Sequence, residues 1–224
     1  MNKLSLFLSL LLIVASISAP ASEIDSQALK QEIGFKLCQI RLHHQDLWRT
    51  LNIKIWYQLK DSDSERSPDT FEVKEAVIKF LADYPNQADY WEILNKKMAQ
   101  FLIETYPIQS LEIELGVVPD ASISAERRSL IRYEKGQIRE LFGFKQQVPR
   151  LLNQAILDVT YKYKEGILPA DYPDFLWLCE AIDQFLEAAG ANANSWDTVK
   201  PQLMQHLMEK YPMVVCVDIK LISN

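Results

Sequence analysis

Two short stretches alternate between apolar and polar positions with the period of a strand that buries one face. In the first, Ile53, Ile55, Tyr57 and Leu59 alternate with Asn52, Lys54, Gln58 and Lys60, and only Trp56 breaks the polar side. In the second, Leu111, Ile113 and Leu115 alternate with Glu112 and Glu114. Between them the period becomes helical. Pro68-Asp69 opens a helix whose Val73, Ala76, Val77, Phe80 and Leu81 share one side. A second helix carries Trp91, Leu94, Met98, Phe101 and Leu102, and it stops at Tyr106-Pro107 because proline cannot continue the backbone hydrogen bonding.

The same arrangement is then written again. Pro68-Asp69 recurs as Pro173-Asp174, Glu75-Ala76-Val77 as Glu180-Ala181-Ile182, Phe80-Leu81 as Phe185-Leu186, Trp91-Glu92 as Trp196-Asp197, and Tyr106-Pro107 as Tyr211-Pro212, each 105 positions on. Ile53 to Tyr57 corresponds to Leu157 to Tyr161 with the offset reduced to 104, and Leu111 to Leu115 to Val217 to Leu221 with the offset raised to 106. Such one-residue slips belong in loops, where insertions are tolerated. The pattern therefore predicts one module of strand, helix, helix and strand duplicated in tandem, with the first repeat over 30–134 and the second over 135–224.

Ser129 to Tyr133 reads as a further strand, and Phe35 to Leu42 as another. Gln137 to Phe144 reads either as a strand or, extended to Leu151, as a helix, since its apolar residues do not alternate cleanly. The fold class is α+β: an antiparallel sheet of about eight strands with helix pairs packed on one face.

The first residues have the form of a secretory signal. Lys3 precedes an apolar stretch from Leu4 to Ser18, and Ala19-Pro20-Ala21 provides a small-x-small cleavage site, so residues 1–21 are expected to be removed and the mature chain to be periplasmic or secreted, without a stable membrane anchor. A net charge of −6 without a basic stripe argues against nucleic-acid binding, and no glycine-rich loop is present to cradle a triphosphate. Cys38, Cys179 and Cys216 are odd in number, so at most one disulfide forms; each reads as a buried small hydrophobe, and Cys179 with Cys216 is the pair to test. His43-His44 with Asp46, and His206 far along the chain, do not amount to a metal site, because adjacent strand residues point to opposite faces and zinc needs at least three protein ligands. Nothing in the sequence calls for a cofactor.

Tyr90-Trp91-Glu92-Ile93-Leu94, then Met98-Ala99, then Leu102-Ile103-Glu104 and Tyr106-Pro107, passing into Leu111 to Leu115, resembles the second helix and third strand of dihydroneopterin aldolases. Those enzymes have the tunnelling fold, whose unit runs strand, strand, helix, helix, strand, strand. The resemblance covers about 60 residues of each repeat. It implies that Glu92, and Asp197 in the second repeat, stand where that family's glutamate anchors a pterin ring, with Trp91 and Trp196 beside them. A carboxylate suits that task, since a pterin or purine presents adjacent N–H donors to both of its oxygens. Acids in the first turn of a helix are also favoured by the helix dipole, and tryptophans at a helix start by core packing, so both readings stand at these four positions.

The resemblance also shows what is missing. Where the family has a catalytic lysine after the third strand, this chain has Gly116-Val117-Val118-Pro119, and the family's tyrosine at the first helix corresponds to Phe71, with Phe175 or Leu176 in the second repeat. The implied function is an exported binding or scaffold protein without an intact aldolase catalytic set; the alternative is a pterin- or purine-binding enzyme with altered chemistry. The fold implies homo-oligomers joined edge to edge, with a small heterocyclic ligand at a boundary.

Overall fold

The computed structural model describes residues 32–60, 68–85, 89–121, 124–148, 155–189 and 195–222. The expected signal segment lies outside the described residues. Seven strands form one sheet in sequence order. They are β1 (Ile33–His44), β2 (Leu47–Leu59), β3 (Ile108–Val117), β4 (Glu126–Glu134), β5 (Gln137–Val148), β6 (Ala155–Tyr163) and β7 (Val214–Ile222). Every neighbouring pair is antiparallel. Helices α1 (Thr70–Ala82) and α2 (Trp91–Thr105) follow β2, and α3 (Phe175–Ala189) and α4 (Trp196–Lys210) follow β6. The architecture is α+β, with the helices packed on one face of the sheet.

The register shows why the alternation was readable. Ile53 pairs with Leu115, Ile55 with Ile113 and Tyr57 with Leu111, all buried under the first helix pair. Leu157 with Leu221, Val159 with Ile219 and Tyr161 with Val217 do the same under the second. These pairs follow the offsets of 104 and 106, and the β2–β3 irregularity at Gln58/Leu59 has its counterpart in β6–β7 at Lys162/Tyr163. The buried residues form two clusters, one beneath α1 and α2 and one beneath α3 and α4. The boundary expected between 134 and 135 falls in the β4–β5 turn, where Lys135 and Gly136 both adopt positive φ (51° and 79°), the geometry of a tight hairpin.

Helix starts are built locally. Asp69 caps α1 by accepting the Glu72 N–H at 2.7 Å, and Asp174 precedes α3 and accepts the Leu176 N–H at 3.0 Å. Polar residues line the other, open face, where Lys54 pairs with Glu114 at 2.7 Å and Arg132 with Glu112 at 2.6 Å.

The structure differs from the sequence reading in three places. Gln137 to Val148 is strand throughout, and the helical alternative fails. Its pattern misleads because Phe142, Gly143 and Phe144 are buried in succession: Arg128 lies over Gly143 on the open face and bonds Asp158 and, at 2.7 Å, Thr160. The sheet has seven strands among the described residues, not about eight, because β7 has no counterpart of β4 beside it. The cysteines are free, and only Cys179 is buried. Cys216 pairs with Lys162 on the open face, away from Cys179 under the helices, so this pair does not bridge. Cys38 is exposed, next to the β1 bulge.

Candidate functional site

The start of α2 is tied down from several directions. Its N-cap, Tyr90, supplies no side-chain cap. Asp89, just before it, accepts a hydrogen bond from His44 Nε2 on its carbonyl at 2.7 Å, which fixes the proton on that nitrogen because a carbonyl only accepts. The Asp89 carboxylate accepts from Lys97 Nζ at 2.7 Å and from the Tyr84 hydroxyl. Burial pushes this carboxyl upward, but the Lys97 and Tyr84 hydrogen bonds outweigh it and hold it below the ordinary range. Strand β1, the end of α1 and the second turn of α2 therefore meet on one residue. Trp91, 2 % exposed, is packed against the His44 ring at 4.5 Å.

The start of α2 also lies near the start of α3, at the seam between the two helix pairs. Arg127 of β4 lies between the first residues of two helices, its guanidinium 5.8 Å from the Trp91 ring of α2 and 5.3 Å from the Phe175 ring of α3. Glu92 follows Trp91, and its carboxyl is raised above the usual range, chiefly by burial. Its own backbone N–H and Arg127 oppose that rise, while Asp174 and Glu140 add to it. Burial also lowers Arg127, with Glu92 and Asp174 acting against the loss of charge. Glu92 and Arg127 feel each other without meeting in an ion pair. Arg127 Nε and Trp91 Nε1 are buried without a hydrogen-bond partner, which leaves donor capacity unmet at a place where unmet capacity is costly.

Beside this group the sheet opens. The β5–β6 register ends at Phe142 and Tyr161, whereas β5 stays paired to β4 as far as Gln137 and β6 to β7 as far as Tyr163. A cleft of about 700 Å³ lies at that split, with Phe142, Tyr163, Tyr172, Lys96 and Glu140 among its walls, within the usual volume range of small-molecule sites. Tyr163 and Tyr172 stack with centroids 4.4 Å apart, and Lys96, one turn along α2 from Glu92, pairs with Glu140 at 2.5 Å. The Tyr161 hydroxyl donates to Tyr163, which donates to the Pro173 carbonyl at 3.2 Å. Burial raises all three phenols, Tyr172 to about 12, and the negative field of Glu92 adds to each. At neutral pH they are therefore hydrogen-bonding groups and not bases.

Of the four residues singled out in the sequence, Glu92 and Trp91 belong to this seam. Asp197 and Trp196 do not. Asp197 is exposed at the start of α4, where its N–H is taken by Ser195 Oγ at 3.2 Å, and Trp196 is half-buried against the second core. The difference lies in the surroundings: α2 lies over β3 and β4 in the middle of the sheet, whereas α4 lies over the edge strand β7. Pro201 inside α4 also removes the N–H that would bond the Asp197 carbonyl. Phe71, at the family's tyrosine position, is exposed on α1. His206 packs on Phe185 at 5.2 Å, far along the chain from the His44 network.

The sequence reading missed Arg127, Glu140 and the tyrosines Tyr161, Tyr163 and Tyr172. Arg127 stood in the short Glu126-Arg127-Arg128 run, too mixed for a basic stripe. Tyr161 and Tyr163 carried only the alternation of a strand.

No protein-family model matches the chain, and no curated protein matches it. Solved structures do. Urate oxidase from Bacillus sp. TB-90 superposes with a TM-score of 0.61 at 11% identity, covering 85% of this chain and 85% of that chain. Uricase from Arthrobacter globiformis gives 0.57 at 10%, covering 85% and 81%, and the uricase titled Bacillus fastidious gives 0.58 at 9%, covering 84% and 79%. At such identities the likeness is one of fold alone, and by it this chain has the tunnelling fold.

Proposed function

We propose that this chain is a tandem duplication of one tunnelling-fold unit that binds a flat heterocycle of pterin or purine type at the seam between its halves, with Glu92 as the anchor. The single observation that carries this reading is Glu92, half-buried at a tethered helix start, its carboxyl raised, and not ion-paired with the cation beside it. A heterocycle offering adjacent N–H donors satisfies both carboxylate oxygens and restores the charge-assisted bonds that burial has removed. The printed names of the structural neighbours, urate oxidases, concern a purine, and they favour this ligand class at the level of analogy only.

The role is binding without aldolase catalysis. Gly116-Val117-Val118-Pro119 offers no lysine where the aldolases have one, and Phe71 has no hydroxyl. Export to the periplasm or beyond, with loss of residues 1–21, belongs to the same proposal, and so does assembly through the sheet edges β1 and β7. A scaffold role without a ligand has one observation in its favour, the exposed Asp197.

Titration of the purified protein with neopterin and with xanthine, followed by tryptophan fluorescence, tests the anchor. Trp91 adjoins it, so a saturable change is expected in the wild type, abolished by Glu92→Gln and retained by Asp197→Asn. A flat response at millimolar ligand, or a response indifferent to Glu92→Gln, overturns the reading.

A further inference from the structure

The two halves differ by one strand. In the first, α2 lies over β3 and β4; in the second, its counterpart α4 lies over β7, and among the described residues no strand runs beyond β7. Burial follows that difference. Trp91, Ala99 and Leu115 are 2 %, 0 % and 0 % exposed, whereas their counterparts Trp196, Met204 and Leu221 are only half-buried. The outer edge of β7 also leaves backbone N–H and C=O groups without a strand partner.

Two side chains make the comparison specific. In the first half Asn95 Nδ2 of α2 donates to the Ser129 carbonyl of β4 at 3.0 Å, and Glu112 of β3 accepts from Arg132 of β4 at 2.6 Å. The residues at the repeat offsets of 105 and 106 are Lys200 of α4 and Asp218 of β7. Having no strand to hold, they hold each other: Lys200 Nζ donates to the Asp218 carboxylate at 2.9 Å. That hydrogen bond is the main reason the Asp218 carboxyl lies below its ordinary range. The Asp218 side chain is still 49 % exposed, and an ion pair this exposed is weak enough to exchange.

We propose that the β7 edge beneath α4 accepts one extended segment of a separate polypeptide, which adds to the sheet antiparallel to β7 as β4 adds to β3. The segment alternates, with apolar residues toward α4 and polar residues toward the open face, and it carries a lysine or arginine opposite Asp218. On binding, Asp218 exchanges Lys200 for that cation, and Lys200 turns to a carbonyl of the guest, as Asn95 does to Ser129. Main-chain hydrogen bonds supply affinity in such strand addition, and the alternate side chains supply selectivity. A second copy does not fit here with either of its own edges: α1 lies over β1 and α4 over β7, and each would enter the space that α4 already covers. The guest also bears on the edge-to-edge assembly proposed above. Seven antiparallel strands leave β1 and β7 running the same way, and an added eighth strand lets the β1 of a next copy join antiparallel.

A fluorescein-labelled peptide with the sequence of residues 126–134 tests the site by fluorescence anisotropy, because β4 is the strand that fits the same place in the first half. Saturable binding to the purified protein is expected. Reversing the charge in the peptide, Arg132→Glu, should weaken binding roughly tenfold or more, the scale of one charge-assisted hydrogen bond. Asp218→Lys in the protein should reverse the preference between the two peptides. Lys200→Asn, which gives α4 the residue that α2 uses and frees Asp218, should tighten binding. Both protein positions are partly exposed and the peptide substitution leaves the protein untouched, so a fault in folding does not imitate this pattern. Sedimentation velocity separates the assembly, with larger species expected only when peptide is present. Binding without larger species supports the acceptor site and overturns the edge-to-edge assembly. Self-association without peptide that Asp218→Lys abolishes gives the edge to a second copy and overturns the guest strand. Absence of binding by both wild type and Lys200→Asn at millimolar peptide, or binding indifferent to both charge reversals, overturns it as well.

Discussion

Glu92 is the residue on which the electrostatics turn, and its pH dependence has a definite sign. Burial raises its carboxyl above the ordinary 4.5 in the folded protein, so the folded state binds that proton more tightly than the unfolded chain. Its stabilising contribution is fully present below about 4.5 and is lost as pH rises through the folded value. At neutral pH this group therefore opposes folding. Glu92→Gln should therefore raise the thermal midpoint at pH 7, with the gain shrinking toward pH 4, as scanning calorimetry across that range would show. A midpoint lowered at pH 7 would mean that Arg127 more than compensates the buried charge. Asp89, three residues earlier, works in the opposite sense. Its carboxyl lies below the ordinary 3.8, so its contribution is present above that value and is lost as acid protonates it. A stabilised pin beside a destabilised acid is the pattern expected where a site is held ready at the expense of folding.

Among the elements, β5 shows best what the amino-acid pattern could and could not convey. Strands β2, β3, β6 and β7 were legible because one face meets helices and the other meets water. The helices were legible because Val73, Val77 and Leu81, or Leu94, Met98 and Leu102, return at helical spacing and are buried. Strand β5 was ambiguous because Arg128 covers Gly143 on the nominally open face, so burial there does not alternate. A Cβ built at Gly143 would lie 2.5 Å from the Val159 carbonyl and 3.0 Å from Arg128 Nε. Gly143→Ala should thus cost about 1–3 kcal/mol, the scale of an overpacked position, measured by urea unfolding; a change within about 0.5 kcal/mol would show that β5 and β6 separate freely. Glu92 was legible through its place at a helix start, which local sequence defines. Arg127, Glu140, Tyr161 and Tyr163 were not, because only the long-range register of β4, β5 and β6 brings them together, and Tyr172 joins them from the connection before α3.

At the scale of the molecule, the two helix pairs sit alike on the sheet and differ in what surrounds them. The two halves share their strand register, their irregularity between hairpin and return strand, and helices of matching position, but α2 lies over the central strands β3 and β4 whereas its counterpart α4 lies over the edge strand β7. Glu92 consequently lies at the seam, one turn from the cleft-lining Lys96, and Asp197 lies in solvent, although the sequence alone gives them equal standing. Site and seam are the same object in this account, and Glu92→Gln and Asp197→Asn should differ in ligand binding for that reason. A crystal structure of the protein grown with neopterin or xanthine tests the central claim most directly. It should show the ring in the seam with both Glu92 carboxylate oxygens about 2.7–3.0 Å from ring and amino nitrogens and Asp197 left in solvent. Ligand seated elsewhere, or a seam closed around a direct Glu92–Arg127 ion pair at saturating ligand, would contradict it.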